Sequence, residues 1–357
     1  MLNQKNPSAQ WSAEQANAWY ADLPWQRGAN FAPANAINQL EMWQAETFDP
    51  ERIDLELSWA AGLGMNIMRV FLHDLCWEQD REGFLARIET FLSLCEKHKI
   101  RVMMVLFDSV WHPFPKTGRQ PEPTPGVHNS GWVQSPGAEA LTDPAHYDRL
   151  RDYVVGVVTA FADDDRILVW DVWNEPDNTN DASYGPGNLK LEPEDKHKYV
   201  LDLLPKVFEW VRAAGPSQPL TSGVWRGDWS SHEMLLPIYK VQIELSDVLS
   251  FHNYDPAEVF ERRIHELSRY NRPIFCTEYM ARGMGNTFEA ILPLMKKYKI
   301  GAINWGFVAG KTQTNLPWDS WQKPYVDREP DIWFHDIFHE DGRAYSAQEI
   351  VILKDEA

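Results

Sequence analysis

The sequence predicts an α/β protein with a (β/α)8-barrel fold that forms a single domain over residues 1–357. Short apolar runs alternate with amphipathic helical stretches eight times along the chain, which is the pattern of parallel βαβ units. No internal repeat, low-complexity tract or Gly/Ser-rich linker divides the chain. No GxGxxG or GxxxxGKS/T motif follows any run, which disfavours a nucleotide-binding doubly wound sheet.

Four strand-and-helix pairs are expected in the first half of the chain. The predicted strands are residues 28–32, 66–72, 102–107 and 167–173, and the helical stretches after them are residues 49–63, 84–95, 143–161 and 193–214. Asp49 suits the N-cap of the first helix and Pro50 suits its first position. The unbroken apolar run of the third strand is typical of a strand that is buried on both faces.

The second half of the chain repeats the pattern four times. The predicted strands are residues 219–224, 248–254, 273–279 and 301–307, and the helical stretches are residues 232–245, 259–270 and 288–299, with a last element at 347–353 that could close the ring. Two segments are too long for simple connections: residues 111–142 after the third strand and residues 306–342 after the eighth. Loops of this length usually cover or bind a ligand.

Bulk composition excludes several classes of protein. A hydrophobic fraction of 44% with 24% charged residues is ordinary for a globular protein with a large core. The formal net charge of −18, without a Lys/Arg cluster, argues against nucleic acid or an anionic membrane surface as a partner. No stretch approaches the roughly 20 apolar residues of a transmembrane helix. The oligomeric state is left open.

The cysteines and the N-terminus bear on the cellular compartment. Three cysteines without a CxxC pair indicate neither a disulfide framework nor a zinc ribbon. The segment from Met1 to Trp25 has no basic region followed by an apolar run, so no signal peptide is predicted. If Met1 is the native start, a cytoplasmic location is expected.

Polar residues end several of the predicted strands, where a barrel of this kind carries its active site. These residues are Arg69 in the second strand, Asp108 after the third, Asn174 and Glu175 after the fourth, His252 and Tyr254 at the end of the sixth, Glu278 in the seventh and Trp305 in the eighth. Glu175 and Glu278 are therefore expected to face each other across the barrel mouth. Hydrolysis of an acetal needs one protonated carboxyl and one ionised carboxylate, so this pair predicts glycoside hydrolysis.

Two segments carry a family resemblance. Residues 170–176 read WDVWNEP, which resembles the fourth-strand signature of the large clan of retaining (β/α)8 glycosidases that contains glycoside hydrolase family 5. The resemblance implies that Glu175 is the general acid/base and that Asn174 binds the sugar 2-hydroxyl. Residues 273–279, PIFCTEY, are similar to the nucleophile strand of that clan and imply that Glu278 is the nucleophile, 103 residues after Glu175.

The resemblance extends over about residues 28–307. It implies that Arg69 supports the nucleophile, that His252 and Tyr254 form the family's HxY motif, and that Trp305 is the platform under the sugar. Structural neutralisation of buried carboxylates is the alternative for Arg69, and core packing is the alternative for the other three. Family 5 commonly has a histidine where this chain has Asp108, so either Asp108 contacts a hydroxyl or the chain is a divergent branch.

Tryptophan is frequent, with 17 residues, and many of them lie in loop-like segments. Indole faces suit the apolar faces of pyranose rings, although loop and core packing explain them equally well. The loop candidates are Trp111, Trp132, Trp225, Trp229 and Trp318. Trp225 completes the predicted substrate-binding set.

No metal ion or other cofactor is predicted. The DNTND sequence at 177–181 resembles the start of a calcium loop, but Ala182 and Asn188 stand where such a loop needs glycine and glutamate. The pairs His73–Asp74 and His232–Glu233 lack the HExxH spacing of a zinc-binding helix.

The predicted reaction is hydrolysis of a β-glycosidic bond by double displacement through a covalent glycosyl-enzyme. In the retaining mechanism the carboxyl groups stand about 5–5.5 Å apart, against about 6.5–9.5 Å for inversion. We expect exo action on short gluco-, manno- or xylo-oligosaccharides, because the two long loops could close one end of the cleft. The alternatives are an endo-β-1,4-glycanase, a transglycosidase, a sugar-binding barrel without activity and a metal-dependent barrel hydrolase.

Overall fold

The computed structural model describes residues 9–181 and 191–355, which form one barrel domain. Eight parallel strands follow one another in the order β5-β4-β3-β2-β1-β8-β7-β6. The first strand pairs with the last, and a bridge between Val224 and Phe251 joins the chain after β5 to β6, which nearly closes the ring. The predicted (β/α)8 barrel is confirmed; its extent over the whole chain stays a prediction.

Each predicted strand overlaps with one observed strand. The strands are β1 Arg27–Asn30, β2 Ile67–Phe71, β3 Arg101–Asp108, β4 Ile167–Asn174, β5 Leu220–Thr221, β6 Leu249–His252, β7 Ile274–Glu278 and β8 Gly301–Asn304. β5 is shorter than predicted because its pairing with β4 ends at Thr221. Beyond that point the chain turns towards β6, and the Val224 amide donates to the Ser250 carbonyl at 3.1 Å.

Helices surround the strands as expected, with four that the sequence did not predict. The described helices are α1 Ala13–Ala21, α2 Gln39–Trp43, α3 Pro50–Gly62, α4 Asp74–Gln79, α5 Arg81–Lys97, α6 Ala138–Thr142, α7 Tyr147–Ala160, α8 Lys196–Ala213, α9 Pro237–Leu245, α10 Ala257–Ser268, α11 Phe288–Tyr298 and α12 Ala347–Asp355. The unpredicted helices are α1, α2, α4 and α6. α9 begins five residues later than predicted, at Pro237, whose fixed φ suits the first helical turn.

The last predicted element adds no strand to the barrel. Residues 347–353 lie in α12, which packs beside α11 on the outer layer. Its end accepts a hydrogen bond of 2.8 Å from the Arg27 guanidinium to the Leu353 carbonyl. The ring is closed by pairing between β1 and β8 instead.

Among the described residues, an N-terminal segment covers the end of the barrel opposite to the carboxyl ends of the strands. This segment contains α1, and its residues Trp11, Trp19, Tyr20 and Leu23 pack on a buried cluster that includes Phe275. Burial of these aromatic rings removes water from that end of the barrel. A ligand therefore reaches the barrel at the carboxyl ends of the strands.

The loops at that end are named by the strand they follow: L3 is residues 109–137, L4 is residues 175–181 and 191–195, L5 is residues 222–236, and L8 is residues 305–346. Ala182 and Asn188 of the calcium-loop comparison lie outside the described residues. Within the described part of the chain, no helix is long and apolar enough to cross a membrane. Cys76, Cys95 and Cys276 are buried free thiols.

Candidate active site

Glu175 and Glu278 lie side by side at the centre of the barrel mouth. Glu175 is the first residue after β4, Glu278 is the last residue of β7, and each side chain is only 9% exposed. One oxygen of each carboxyl and one ring nitrogen of His252 all lie within 4.8 Å of one another. This separation fits the retaining arrangement and is too short to leave room for a water between the carboxyl groups, as inversion requires.

The backbone at Glu175 turns sharply out of its strand. β4 ends at Asn174, and Glu175 has a φ of +43°, in the left-handed region that side chains rarely adopt. The backbone N–H of Asn178 closes the turn by donating to the Glu175 backbone carbonyl at 2.9 Å. The turn leaves the Glu175 side chain at the barrel mouth, in the wall of the central cavity.

Arg69 connects the strands beneath the two acids. Its guanidinium is fully buried and donates to Asp171 at 2.8 Å, to Asn174 Oδ1 at 2.7 Å and to Asn30 Oδ1 at 2.8 Å. The same group lies 3.4 Å from Glu278 Oε1. A buried guanidinium in these contacts fixes the side chains at the ends of β4 and β7 and places a positive charge beneath Glu278.

Glu278 has three polar neighbours that favour its ionised form. Tyr254 Oη donates to Glu278 Oε2 at 2.7 Å, His252 Nδ1 lies 3.4 Å from the same oxygen, and Arg69 lies below. Burial raises the pKa of Glu278 to about 7, and the Glu175 charge adds to this, whereas His252, Arg69 and Tyr254 oppose it. Burial also raises the pKa of Tyr254, which therefore stays a hydrogen-bond donor.

Glu175 has different polar neighbours from Glu278. Its Oε1 shares a hydrogen bond of 2.8 Å with His252 Nδ1, and its Oε2 accepts from Asn178 Nδ2 at 2.7 Å. Burial raises the pKa of Glu175 to about 7 and lowers that of His252 to about 4, so the imidazole is neutral. Because Arg69 and Tyr254 contact Glu278 and not Glu175, these two contacts favour ionisation of Glu278 over that of Glu175.

A cavity of about 560 Å³ opens above the two acids. Trp305, the first residue after β8, lies in its wall, with its ring packed edge-on against Phe71 and Trp132. Trp225 of L5 lies in the wall as well, and its indole donates to the buried Asp177 at 2.7 Å. The cavity thus has two indoles in addition to two acids, a combination that suits a pyranose chain.

L3 and L8 are joined into a wall on the β8–β3 side of this cavity. Three backbone N–H groups donate across the two loops. That of Asn129 donates to the Thr312 carbonyl at 2.8 Å, that of His128 to Ser320 Oγ at 2.9 Å, and that of Tyr325 to the Gly126 carbonyl at 2.9 Å. The Trp111 and Trp321 rings, one from each loop, meet at 5.5 Å between centroids. On the other side of the cavity, L4 and L5 are joined through Asp177, which accepts from the Trp225 indole and pairs with Arg226 at 3.2 Å.

The sequence of residues 40–310, more than half of the chain, matches the family model described as "Cellulase (glycosyl hydrolase family 5)". The chain belongs to glycoside hydrolase family 5. It is therefore a glycoside hydrolase, and the enzyme class predicted from the strand ends is confirmed. No match to the chain was found among curated protein sequences.

Several solved structures share the fold at low sequence identity. GH5_18 from Streptomyces cattleya, solved as a variant in complex with Manβ1-4GlcNAc, is 13% identical, with a TM-score of 0.62 over 92% of this chain and 79% of that one. An exo-β-1,4-mannosidase from an Opitutaceae bacterium is 18% identical, with a TM-score of 0.60 over 93% and 60%. An endo-1,4-β-D-mannanase from Thermotoga petrophila is 12% identical, with a TM-score of 0.56 over 93% and 99%.

Most of the predicted site residues of this family 5 enzyme meet at one place. Glu175, Glu278, His252, Tyr254, Trp225 and Trp305 all line the cavity. Arg69 and Asn174 lie in the layer directly beneath it and are buried. Asn174 Nδ2 donates to Asp108 Oδ1 at 2.9 Å, and this bond fixes the orientation of the Asn174 side chain. The roles of these residues in catalysis stay predictions.

Asp108 does not line the cavity, in contrast to the contact with a sugar hydroxyl that was considered for it. It is 1% exposed, and its carboxylate accepts hydrogen bonds from Asn174, from the Trp132 indole at 2.6 Å and from Gln39 at 3.0 Å. These donors occupy the side chain. Asp108 therefore orients Asn174 and Trp132, and any effect of Asp108 on substrate is exerted through them.

The loop tryptophans separate into two groups. Trp111, Trp225 and Trp318 line the cavity, and Trp318 packs edge-on against Tyr254 at 4.9 Å between ring centroids. Trp132 is buried behind Trp305, and Trp229 is a core residue against Phe251. Sequence reasoning missed Asn178, which contacts Glu175 directly. Its position three residues after Glu175, in a turn, was the only available signal.

A bell-shaped pH dependence of kcat/KM is expected. Activity should fall at low pH as Glu278 gains a proton and at high pH as Glu175 loses its proton. The two pKa values of this coupled pair should lie on either side of about 7. Initial rates with an aryl β-glycoside, measured over the pH range in which the enzyme stays folded, provide the check. A rate that rises steadily through neutral pH and reaches a plateau would contradict a protonated Glu175.

Activity is expected to survive removal of divalent metal ions. Glu175, His252 and Glu278 are the only described residues that could gather round a cation, and Arg69 already places a positive charge against this group. A cation would have to compete with that guanidinium. Overnight dialysis against a chelator should leave kcat within about twofold of the untreated enzyme. A loss that added zinc or calcium restores would favour the metal-dependent alternative.

Proposed function

We propose that this enzyme is an exo-acting retaining β-glycosidase that releases the terminal sugar of short β-linked oligosaccharides, with β-mannosides as the first candidates. The observation that carries the proposal is the pair of carboxyl groups within 4.8 Å in a cavity walled on one side by L3 and L8. A cytoplasmic location stays a prediction.

The first step is the transfer of the glycosyl unit to the enzyme. The Glu278 carboxylate attacks the anomeric carbon while Glu175 gives its proton to the glycosidic oxygen, so the C–O bond to the leaving group breaks as the bond to Glu278 forms. Asn174 Nδ2 has one hydrogen engaged with Asp108, and the second is available for the sugar 2-hydroxyl. Trp305 supplies the apolar surface under the ring.

The second step returns the enzyme to its initial state. Glu175, now ionised, takes a proton from water as the water oxygen attacks the anomeric carbon, and the bond to Glu278 breaks. Two displacements at one centre give net retention of configuration. Tyr254 and Arg69 stabilise the carboxylate as its charge returns to Glu278.

The position of the wall supports exo action. Glu175 contacts Asn178 of L4, so the leaving group is expected on the L4 and L5 side, next to Trp225. The sugar to be released then lies over Trp305, with the joined L3 and L8 behind it. A cleft that is blocked behind the first sugar accepts only the non-reducing end of a chain.

The names of the similar structures suggest which sugar to test first. One is an exo-β-1,4-mannosidase, one is an endo-mannanase and one was solved with Manβ1-4GlcNAc. Their sequence identity to this chain is too low to transfer specificity, so gluco- and xylo-configured substrates remain in the panel. The contacts that separate these sugars lie at hydroxyls two to four.

The experiment uses β-1,4-oligosaccharides labelled at the reducing end, in manno, gluco and xylo series. Exo action predicts products that shorten by one sugar at a time and keep the label to the last step. The early appearance of mid-length labelled products would instead support an endo-glycanase. Release of the β-anomer, followed by NMR in the first minutes, tests retention. Transfer products that grow with substrate concentration would identify a transglycosidase.

Opening the wall is expected to change chain-length preference. In a Trp111→Ala/Trp321→Ala variant, the ring contact between L3 and L8 is lost, and longer chains could extend past Trp305. The rate on hexasaccharide relative to disaccharide should rise by roughly 3–10-fold, as expected for one added sugar contact of about 1 kcal/mol. Trp19→Ala, at the opposite end of the barrel, is the control. An unchanged ratio in the double variant would contradict the assignment of the blocked end.

A further inference from the structure

Lys196 is a buried cation that the mechanism above does not use. It is the first residue of α8, it is 1% exposed, and its ammonium donates to Asn178 O at 2.6 Å, Glu192 Oε2 at 2.9 Å and Gln134 Oε1 at 3.1 Å. These three bonds use all three ammonium hydrogens. Burial of a lysine is costly unless its charge is paired, and the pairing here is with Glu192.

The network around this lysine ends at the acid/base. The Asn178 side chain is held from both sides. Its Oδ1 accepts from the backbone N–H of Asn180 at 2.8 Å, and its Nδ2 donates to Glu175 Oε2 at 2.7 Å. The backbone of Asn178 is held as well, by Lys196 at its carbonyl and by Glu175 at its amide. The described contacts therefore leave little freedom to the group that orients Glu175.

Glu192 and Gln134 connect the same network to L3. Glu192 Oε1 accepts from Asn180 Nδ2 at 2.6 Å and from Gln134 Nε2 at 2.6 Å. Gln134 also donates to the Trp111 carbonyl at 2.8 Å. The ion pair thus joins L3, L4 and the start of α8 directly beneath the leaving-group side of the cavity.

We propose that Lys196 is a positioning residue for acid/base catalysis, which acts through the Asn178 turn to hold the Glu175 carboxyl towards the glycosidic oxygen. This inference rests on the proposed function of Glu175. Charged and titratable groups other than Lys196 also face this region. Those around Glu175 are Arg69, Asp177, Arg226, His252, Tyr254 and Glu278, and those around Lys196 are Asp108, Asp177 and Glu192.

The test compares two substrates that differ in their need for an acid. A phenyl glycoside needs protonation of its leaving group, whereas a dinitrophenyl glycoside of the same sugar does not. Lys196→Met should lower kcat/KM for the phenyl glycoside by roughly tenfold or more, and leave that for the dinitrophenyl glycoside within about twofold. Equal losses on both substrates, or no loss on either, would overturn the proposal.

Two further variants link the effect to Asn178. Asn178→Ala should give the same selective loss, and Lys196→Met/Asn178→Ala should lose no more than Asn178→Ala alone, because the two residues act in series. Since the Asn178 hydrogen bond lowers the pKa of Glu175, each variant should also move the basic limb of the pH profile to higher pH. Multiplicative losses in the double variant would contradict an action through Asn178.

Folding is controlled in two ways. Lys196→Met leaves Glu192 buried without its partner, so Lys196→Met/Glu192→Gln removes both charges and keeps the test decisive if the single variant unfolds. Lys206→Met is the matched control, because Lys206 forms an ion pair with Asp202 at the same i,i+4 spacing on the exposed face of α8. It should leave both rates unchanged. Absence of wild-type activity would count against the proposed function and is separate from the outcome of these comparisons.

Discussion

Replacement of Glu278 by alanine is expected to lower kcat on an aryl β-glycoside by at least about 10⁴-fold, because no other described group can form the bond to the anomeric carbon. Arg69, Tyr254 and His252 all point at this carboxylate and would remain in place. The thermal midpoint should be unchanged or higher, because the variant no longer carries the desolvation cost of the buried Glu278 carboxyl. Stopped assays and thermal unfolding measure the two effects.

Chemical rescue distinguishes a nucleophile from a merely structural acid. In the alanine variant, azide can enter the space of the lost carboxylate and attack the anomeric carbon, which gives a glycosyl azide of inverted configuration. A 2-fluoro glycosyl fluoride should label Glu278 in the wild type, located by peptide mass spectrometry. Glu56→Gln is the matched control, because Glu56 is another buried carboxyl whose pKa burial raises to about 7, on α3. Labelling of any other residue would remove Glu278 from the mechanism.

The barrel and the two acids could be predicted because periodic apolar runs and the residues that end them are local properties of the sequence. A strand buried on both faces has to be apolar, so Glu278 at the end of one stands out, as does Glu175 directly after another. The same logic found Arg69, Asn174, His252 and Trp305. Their meeting in space follows from the symmetry of a closed parallel sheet.

Residues whose roles depend on loop conformation could not be predicted in this way. Lys196 follows Glu192, Glu194 and Asp195, a run that resembles the solvated start of a helix, and nothing in it indicates burial. Asp108 ends a strand and appeared free to contact substrate, but Trp132 and Gln39 arrive from distant segments to occupy it. Loop contacts depend on tertiary packing, which has no periodic signature.

The joining of L3 to L8 illustrates the same limit. The lengths of residues 111–142 and 306–342 predicted covering loops, and the structure brings Trp111 and Trp321 together across the cavity wall. Most of the hydrogen bonds that fix the wall involve the side chains of Gln313, His128 and Ser320, whose partners lie far away in the sequence. Length therefore predicted the presence of a cover, whereas its side of the cleft required coordinates.

Replacement of Glu175 by alanine is expected to affect substrates unequally. A substrate with an alkoxide leaving group should lose roughly 10³-fold in kcat/KM, because protonation of the departing oxygen contributes about 10²–10⁴-fold. A dinitrophenyl glycoside should lose little in kcat/KM, since its leaving group departs without a proton. Its kcat should still fall, because Glu175 also activates water in the second step, and the glycosyl-enzyme should accumulate with a burst of dinitrophenol.

The pH profile of this variant carries the remaining information. The basic limb should disappear, because the group whose ionisation causes it is gone, while the acid limb of Glu278 should change little, because Glu175 is already protonated over that pH range. Asn178→Ala retains the carboxyl and should retain the basic limb. If the Glu175 variant keeps its basic limb and loses both substrates equally, the acid lies elsewhere and Glu175 only shapes the cavity. The loss of the basic limb is the sharper observation, since it assigns that titration to the Glu175 carboxyl itself.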